Sequence, residues 1–172
     1  MRGTRDKLRS SERELPFSGL FAVKDGKTSL LLTEEQLGGS PNGLAFSPDE
    51  KYLYANGDYN RIMRYEVKPD GTLGAGTVFV NGEGSDGIKV DVKGNVYTTT
   101  GAGPGEVRIF SPAGSRIGTI KLPVSNREPR AQVCATNIAF GDRDGKTLYI
   151  TACEHVYRVR MEVEGIRPKF GA

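Results

Sequence analysis

The sequence predicts an all-β protein built as a β-propeller, and three observations predict it. Residues 42–57 (NGLAFSPDEKYLYANG), 85–101 (SDGIKVDVKGNVYTTTG) and 136–152 (TNIAFGDRDGKTLYITA) repeat one plan. Each has a small polar or acidic start, a short apolar strand, a turn of Asp, Gly and Lys, and a second strand marked Leu-Tyr or Val-Tyr. The starts, Asn42, Asp86 and Asn137, stand 44 and 51 residues apart. A period of about 40–50 residues with several strands per unit is that of propeller blades. The composition agrees, with 23 Gly, no Trp, and 7 Tyr and 7 Phe gathered mostly in strand-like runs. No segment holds a 3.6-residue period over a helical length, so almost no helix is expected.

Residues 1–14 are polar, charged and without pattern, and read as a tail. Residues 17–23 and 28–32 read as strands about the turn at 24–27, because Asp-Gly between apolar runs signals a hairpin. Residues 34–39 read as a loop. Four short strands follow at 44–46, 52–55, 61–67 and 77–80, turning at 47–51 and at Pro69-Asp70-Gly71. The plan recurs at 88–92, 95–99, 106–110 and 116–122, and starts again at 137–140, 147–152 and 155–163. The blade-like units of a partial propeller over 15–172 thus fall near 17–40, 41–84, 85–134 and 135–168.

That amounts to three to three and a half blades of four-stranded antiparallel sheet, whereas propellers close with about four to eight. An open arc leaves sheet faces and edges that need partners. Three solutions are open: part of a longer domain, an arc that survives on its own packing, or a homodimer in which two copies complete a ring.

The net charge of +3 comes from the first 13 residues, where Arg2, Arg5, Lys7, Arg9 and Arg13 outnumber Asp6 and Glu12. The neutral remainder offers no electrostatic footprint for nucleic acid. No apolar run approaches the roughly 18 residues of a membrane span, and no secretory core lies near the start. The expected location is cytoplasmic. Two cysteines make neither a disulfide scaffold nor a zinc site. If residue 140 pairs with 147, Cys134 falls opposite Cys153, but a slip of one residue puts them on opposite faces. The expectation is reduced thiols.

The residue just before the innermost strand of a blade points at the propeller axis. Asn42 followed by Gly43, and Asp86 followed by Gly87, hold that place in successive units. Side-chain oxygens on neighbouring blades suit a hard divalent cation such as calcium, while zinc favours His and Cys ligands that the chain does not offer there. A glycine after each ligand lets the backbone turn sharply. The competing reading is turn chemistry, since Asn-Gly and Asp-Gly are common turn dipeptides; Asn56-Gly57 and Asn81-Gly82 read that way.

These segments resemble the C-terminal half of the family that unites gluconolactonase with senescence marker protein (regucalcin) and related lactonases. The resemblance rests on SPNGLAFSPDEKYLYANGD, SDGIKVDVKGNVYTTTG, TNIAFGDRDGKTLYITA, the entry ELPFSGLF, RYEVKPDGTLG and the closing YRVRMEVEGIRP, in order over about residues 14–168. It implies a six-bladed propeller with one divalent metal in its channel, calcium foremost, with zinc, magnesium or manganese as alternatives. It implies metal-assisted hydrolysis of a small sugar lactone to the aldonic acid. Carried over residue by residue, Asn42 and Asp86 are metal ligands and Asp86 is the catalytic general base. The family's metal-binding glutamate and a substrate-contacting asparagine belong to the part of the propeller that precedes this stretch.

Other residues rank lower. Asn137 is placed level with Asn42, on a blade the family uses structurally. Asp58 reads as part of a capped turn, and His155 as a lone imidazole at a strand edge. The segment from Gly101 to Gly105 has the glycines of a phosphate loop but no Lys-Ser/Thr or following helix, so it reads as a loop between strands.

Overall fold

The computed structural model describes residues 15–57, 60–83, 85–101, 105–123 and 134–167. Residues 1–14 and Asp58 lie outside that set. The strands are β1 (Gly19–Lys24), β2 (Lys27–Thr33), β3 (Leu44–Phe46), β4 (Tyr52–Ala55), β5 (Arg61–Glu66), β6 (Thr77–Asn81) and β7 (Ile88–Val90). They continue as β8 (Val96–Thr99), β9 (Glu106–Phe110), β10 (Arg116–Lys121), β11 (Ala135–Gly141), β12 (Thr147–Ala152) and β13 (His155–Arg160). Four antiparallel sheets result: β1-β2, β3-β4-β5-β6, β7-β8-β9-β10 and β11-β12-β13. Two are complete four-stranded blades, the last has three described strands, and the first has two. The inner strands β3, β7 and β11 pack side by side.

Local sequence explains the turns. Lys24 pairs with Lys27 around Asp25 and Gly26, whose φ values of 51° and 72° are those of a tight two-residue hairpin. In the third sheet the turn is built on Asp91. Its Oδ1 accepts from the amides of Lys93 and Asn95 at 2.9 Å, and its Oδ2 accepts from the Tyr97 hydroxyl at 3.0 Å. The expected loop at 34–39 instead begins with one helical turn, α1 (Glu34–Leu37). A capping box forms it, with Thr33 Oγ1 accepting from the Gln36 amide while the Gln36 side chain accepts from the Thr33 amide. Thr33-x-x-Gln36 was present in the sequence as its signal.

The core lies between sheets. One cluster joins β2 and α1 to β4 and β5 through Leu32, Leu37, Ala55 and Tyr65. A second sets Tyr54, Ile62 and Val80 against Ile88, Val90 and Val96. A third sets Tyr97, Val107 and Leu122 against Ile138, Leu148 and Ile150. Tyr54 and Tyr97, two of the three repeated tyrosines, are thus face residues that the following sheet covers. Tyr97 meets Phe140 edge-on at 5.2 Å. The inner-strand positions show the same logic in reverse. Ile88 and Val90 are 1% and 3% exposed beneath the preceding sheet, whereas the matching Leu44 and Phe46 are 44% and 46% exposed.

The cysteines overturn the expected reduced state, for Cys134 and Cys153 form a disulfide across Cα atoms 5.4 Å apart. Most of the hairpin is one residue off the anticipated register, with Gly141 opposite Thr147 and Phe140 opposite Leu148. A bulge between Ala135 and Asn137 then shifts the pairing so that Ala135 faces Ala152, and the cysteines beyond them meet. The bond closes a loop with a sequence separation of 19. Reducing it, or making Cys153→Ser, should lower the unfolding free energy by about 3 kcal/mol. The urea midpoint with and without reductant measures that.

Candidate active site

Asn42 and Asp86 stand just ahead of β3 and β7, each separated from its strand by one glycine, on adjacent sheets. Their backbones are pinned alike. The Asn42 amide donates to the Asn56 carbonyl at 3.1 Å, and the Asp86 amide donates to the Thr99 carbonyl at 2.9 Å. Their side chains are left over. Asn42 is exposed and Asp86 half-buried, and neither side chain has a hydrogen-bond partner among the described residues. The Ser85 hydroxyl beside Asp86 is buried and also without a partner.

The glycines act differently from the sequence expectation. Neither Gly43 nor Gly87 is among the residues with left-handed φ, so sharp turning is not their role. A Cβ on Gly43 would overlap the Asp86 carbonyl oxygen and lie 2.8 Å from Ile88 Cγ1 and 3.0 Å from the Ile88 nitrogen. A Cβ on Gly87 would lie 2.5 Å from Asn137 Oδ1 and 3.0 Å from its Cα. Each glycine lets the next inner strand close on the site. Gly101 does need its conformation, with φ 61°. Its amide donates to Ala135 at 2.7 Å, and a Cβ there would sit 3.5 Å from Asp86 Oδ2. The Asp86 carboxylate therefore lies against a backbone stripped of side chain.

Asn137 is not level with Asn42. Leu44 pairs with Ala55, Ile88 with Thr98 and Ile138 with Ile150, so Asn137, opposite Thr151, holds the glycine position, and Thr136 stands where Asn42 and Asp86 stand. Asn137 directly precedes Ile138, whereas Asn42 and Asp86 are each followed by a glycine before the strand begins. Asn137 Oδ1 accepts from the Ile138 amide at 2.9 Å, a local structural bond. His155 is exposed and stacks on Tyr157 at 5.8 Å. Among the described residues, no group of three or more His, Cys, Asp or Glu side chains is placed to hold a metal ion. Two oxygen donors on neighbouring sheets fit a hard cation as half of a site, the amide and carboxylate being ordinary calcium ligands.

The family model described as SMP-30/Gluconolactonase/LRE-like region matches residues 2–154. The chain belongs to this family. Within the SMP-30/gluconolactonase/LRE-like family it is 32% identical over 170 residues to the gluconolactonase of Zymomonas mobilis, covering 91% of this chain and 44% of that protein. A solved gluconolactonase from Xanthomonas campestris superposes with a TM-score of 0.69 at 26% identity, covering 91% of this chain and 47% of that one. The calcium-binding regucalcin from Agrobacterium tumefaciens shares the fold, with a TM-score of 0.71 at 24% identity, 86% of this chain and 54% of that one being covered. The chain spans about half the length of the relatives it matches.

Sequence reasoning passed over Asn56 and Thr99. The sequence reads Asn56 as a turn residue, yet it is buried beside the site and bonded both to Gly43 in its own sheet and to Ser85 of the next. The available signal was a polar residue two places after the signature tyrosine in each unit: Asn56, Thr99 and Thr151.

Proposed function

We propose that the chain carries half of a lactonase centre, in which Asn42 and Asp86 are metal ligands and Asp86 is also the general base. The proposed reaction is hydrolysis of a sugar lactone of the glucono-lactone type. Water adds to the lactone carbonyl, the bond from that carbon to the ring oxygen breaks, and the ring oxygen takes up a proton to give the aldonic acid. A bound divalent cation, calcium by the hardness of these donors, would supply carbonyl polarisation and a more acidic water. Asp86 accepts the proton that the attacking water gives up. The Asn42 amide oxygen adds a neutral donor. The observation that carries the reading is the half-buried Asp86 carboxylate, unengaged by described residues and seated against Gly101, in a chain 32% identical to a gluconolactonase.

The test is hydrolysis of glucono-δ-lactone in a pH-stat, with calcium and then with chelator, corrected for spontaneous opening. Calcium-dependent turnover is the expected result. A rate equal to background from folded protein would overturn catalysis by this chain. One observation favours a second reading, a non-catalytic propeller fragment that binds a metal or protein: the described residues bring no third acidic, His or Cys ligand to the pair. Calcium that raises the Tm without any turnover would select it.

A homodimer remains a proposal supported by the uncovered Leu44 and Phe46. A monomeric mass by light scattering at tens of micromolar would exclude it. No described helix is long and apolar enough to cross a membrane. A Cys134–Cys153 bond persists in oxidising compartments and is reduced in the cytosol, so the cytoplasmic placement suits only the dithiol form.

A further inference from the structure

We propose that Asn56 and Thr99 are positioning residues, two buried polar latches that fix each candidate ligand against the next sheet and so set the metal affinity of the centre. The consequence for affinity rests on the metal reading above; the geometry rests on hydrogen bonds alone.

Asn56 is 2% exposed. Its Oδ1 accepts from the Gly43 amide at 2.7 Å, and its Nδ2 donates to the Ser85 carbonyl. One side chain therefore ties the backbone just after Asn42 to the backbone just before Asp86. Its main chain adds two further ties, donating to the Gly43 carbonyl at 3.2 Å and accepting from the Asn42 amide.

Thr99 holds the same register position one sheet later and is 0% exposed. Its Oγ1 accepts from the Gly87 amide at 2.7 Å and donates to the Thr136 carbonyl of the following sheet at 3.1 Å. Thr151 is the third member, opposite Asn137. No described sheet follows it, and its Oγ1 donates instead to the Asn137 carbonyl in its own sheet at 3.2 Å. The position reaches across wherever a next sheet is present and turns back where none is.

Asn and Thr share what the position needs, an acceptor and a donor on one short side chain. The acceptor holds the amide of the glycine that admits the neighbouring strand. The donor holds the carbonyl at, or next to, the neighbour's own site position. Calcium ligands must come within about 2.3–2.6 Å of the ion, so the spacing of the two sheets governs whether both oxygens reach it. Residues that orient ligands in this way change metal affinity by about 10–100-fold when lost.

The test compares Thr99→Val, which keeps the shape and removes both bonds, with Thr99→Ser, which keeps them, and with Asn56→Leu. Tyr149→Phe, which removes the hydroxyl bond to Asp142 away from the site, is the stability control. The readout is the calcium concentration giving half of the maximal rise in Tm, together with amide exchange at Gly43 and Gly87. Thr99→Val and Asn56→Leu should raise that concentration about tenfold or more, with Thr99→Ser and Tyr149→Phe close to the parent. Should Asn56→Leu fail to fold, the Thr99→Val and Thr99→Ser pair carries the test. Variants that lower the Tm but leave the calcium midpoint where it was would overturn the proposal. A parent without calcium response, or an unchanged response in Asp86→Asn, removes the metal reading instead. The latch is then judged by exchange: selective loss of protection at Gly43 in Asn56→Leu and at Gly87 in Thr99→Val sustains it, and uniform loss overturns it.

Discussion

Under the proposed reaction, Asp86→Asn is expected to abolish calcium-dependent lactone hydrolysis while hardly changing the stability of the metal-free chain. The substitution keeps shape and volume and removes the charge and the proton-accepting oxygen. General-base catalysis contributes about 10²–10⁴-fold, and loss of the charged ligand weakens metal binding in addition, so the pH-stat rate should fall to background. Stability should move by no more than about 0.5 kcal/mol, because the carboxylate has no hydrogen-bond partner among the described residues. Asn42→Ala should fall less far, since a neutral donor is lost and the base stays. An Asp86→Asn variant that keeps parental turnover would move the base to another residue. Urea unfolding of the chelated protein separates loss of chemistry from loss of fold.

Gly43→Ala is expected to destabilise the fold by about 1–3 kcal/mol or more, and Gly87→Ala by a similar or smaller amount. The sign is informative. At a glycine without left-handed φ, alanine ordinarily stabilises by about 0.4–1 kcal/mol by restricting the unfolded chain. Here the added methyl would meet the carbonyl oxygen of Asp86 and the nitrogen of Ile88, backbone atoms that cannot rotate away. The neighbouring strand has to retreat, which also moves Asp86 from Asn42. At Gly87 the nearest atom belongs to the Asn137 side chain, which can give, although its Cα at 3.0 Å cannot. Urea midpoints measure both effects. A neutral or stabilising Gly43→Ala would mean the inner strands stand further apart than described.

The repeat was legible because its physics is local. Alternation, Asp-Gly turns and the recurring tyrosine declared four-stranded units, and β3 to β10 form two sheets of that plan. The placement of Asn42 and Asp86 ahead of inner strands was legible for the same reason. What stayed hidden depended on register. The single-residue bulge in β11 brought Cys134 to Cys153 although most of the hairpin pairs differently from the expectation, whereas the place of Asn137 next to Ile138, without an intervening glycine, was already written in the sequence. A bulge leaves no strong mark in composition. Asn56 was misread because Asn-Gly has a common local explanation, and only the next sheet, with the Ser85 carbonyl 29 residues away, reveals the other one.

The three apolar clusters lie one between each pair of consecutive sheets. Free energy then accrues as a one-dimensional series of nearest-neighbour couplings, as in a solenoid, instead of as one indivisible core. The β3–β6 and β7–β10 sheets are each coupled on both sides and open last, while the terminal sheets fray first. Denaturation need not be two-state. Amide protection should fall away from the middle of the arc towards both ends, and a single melting midpoint would average units of unequal strength.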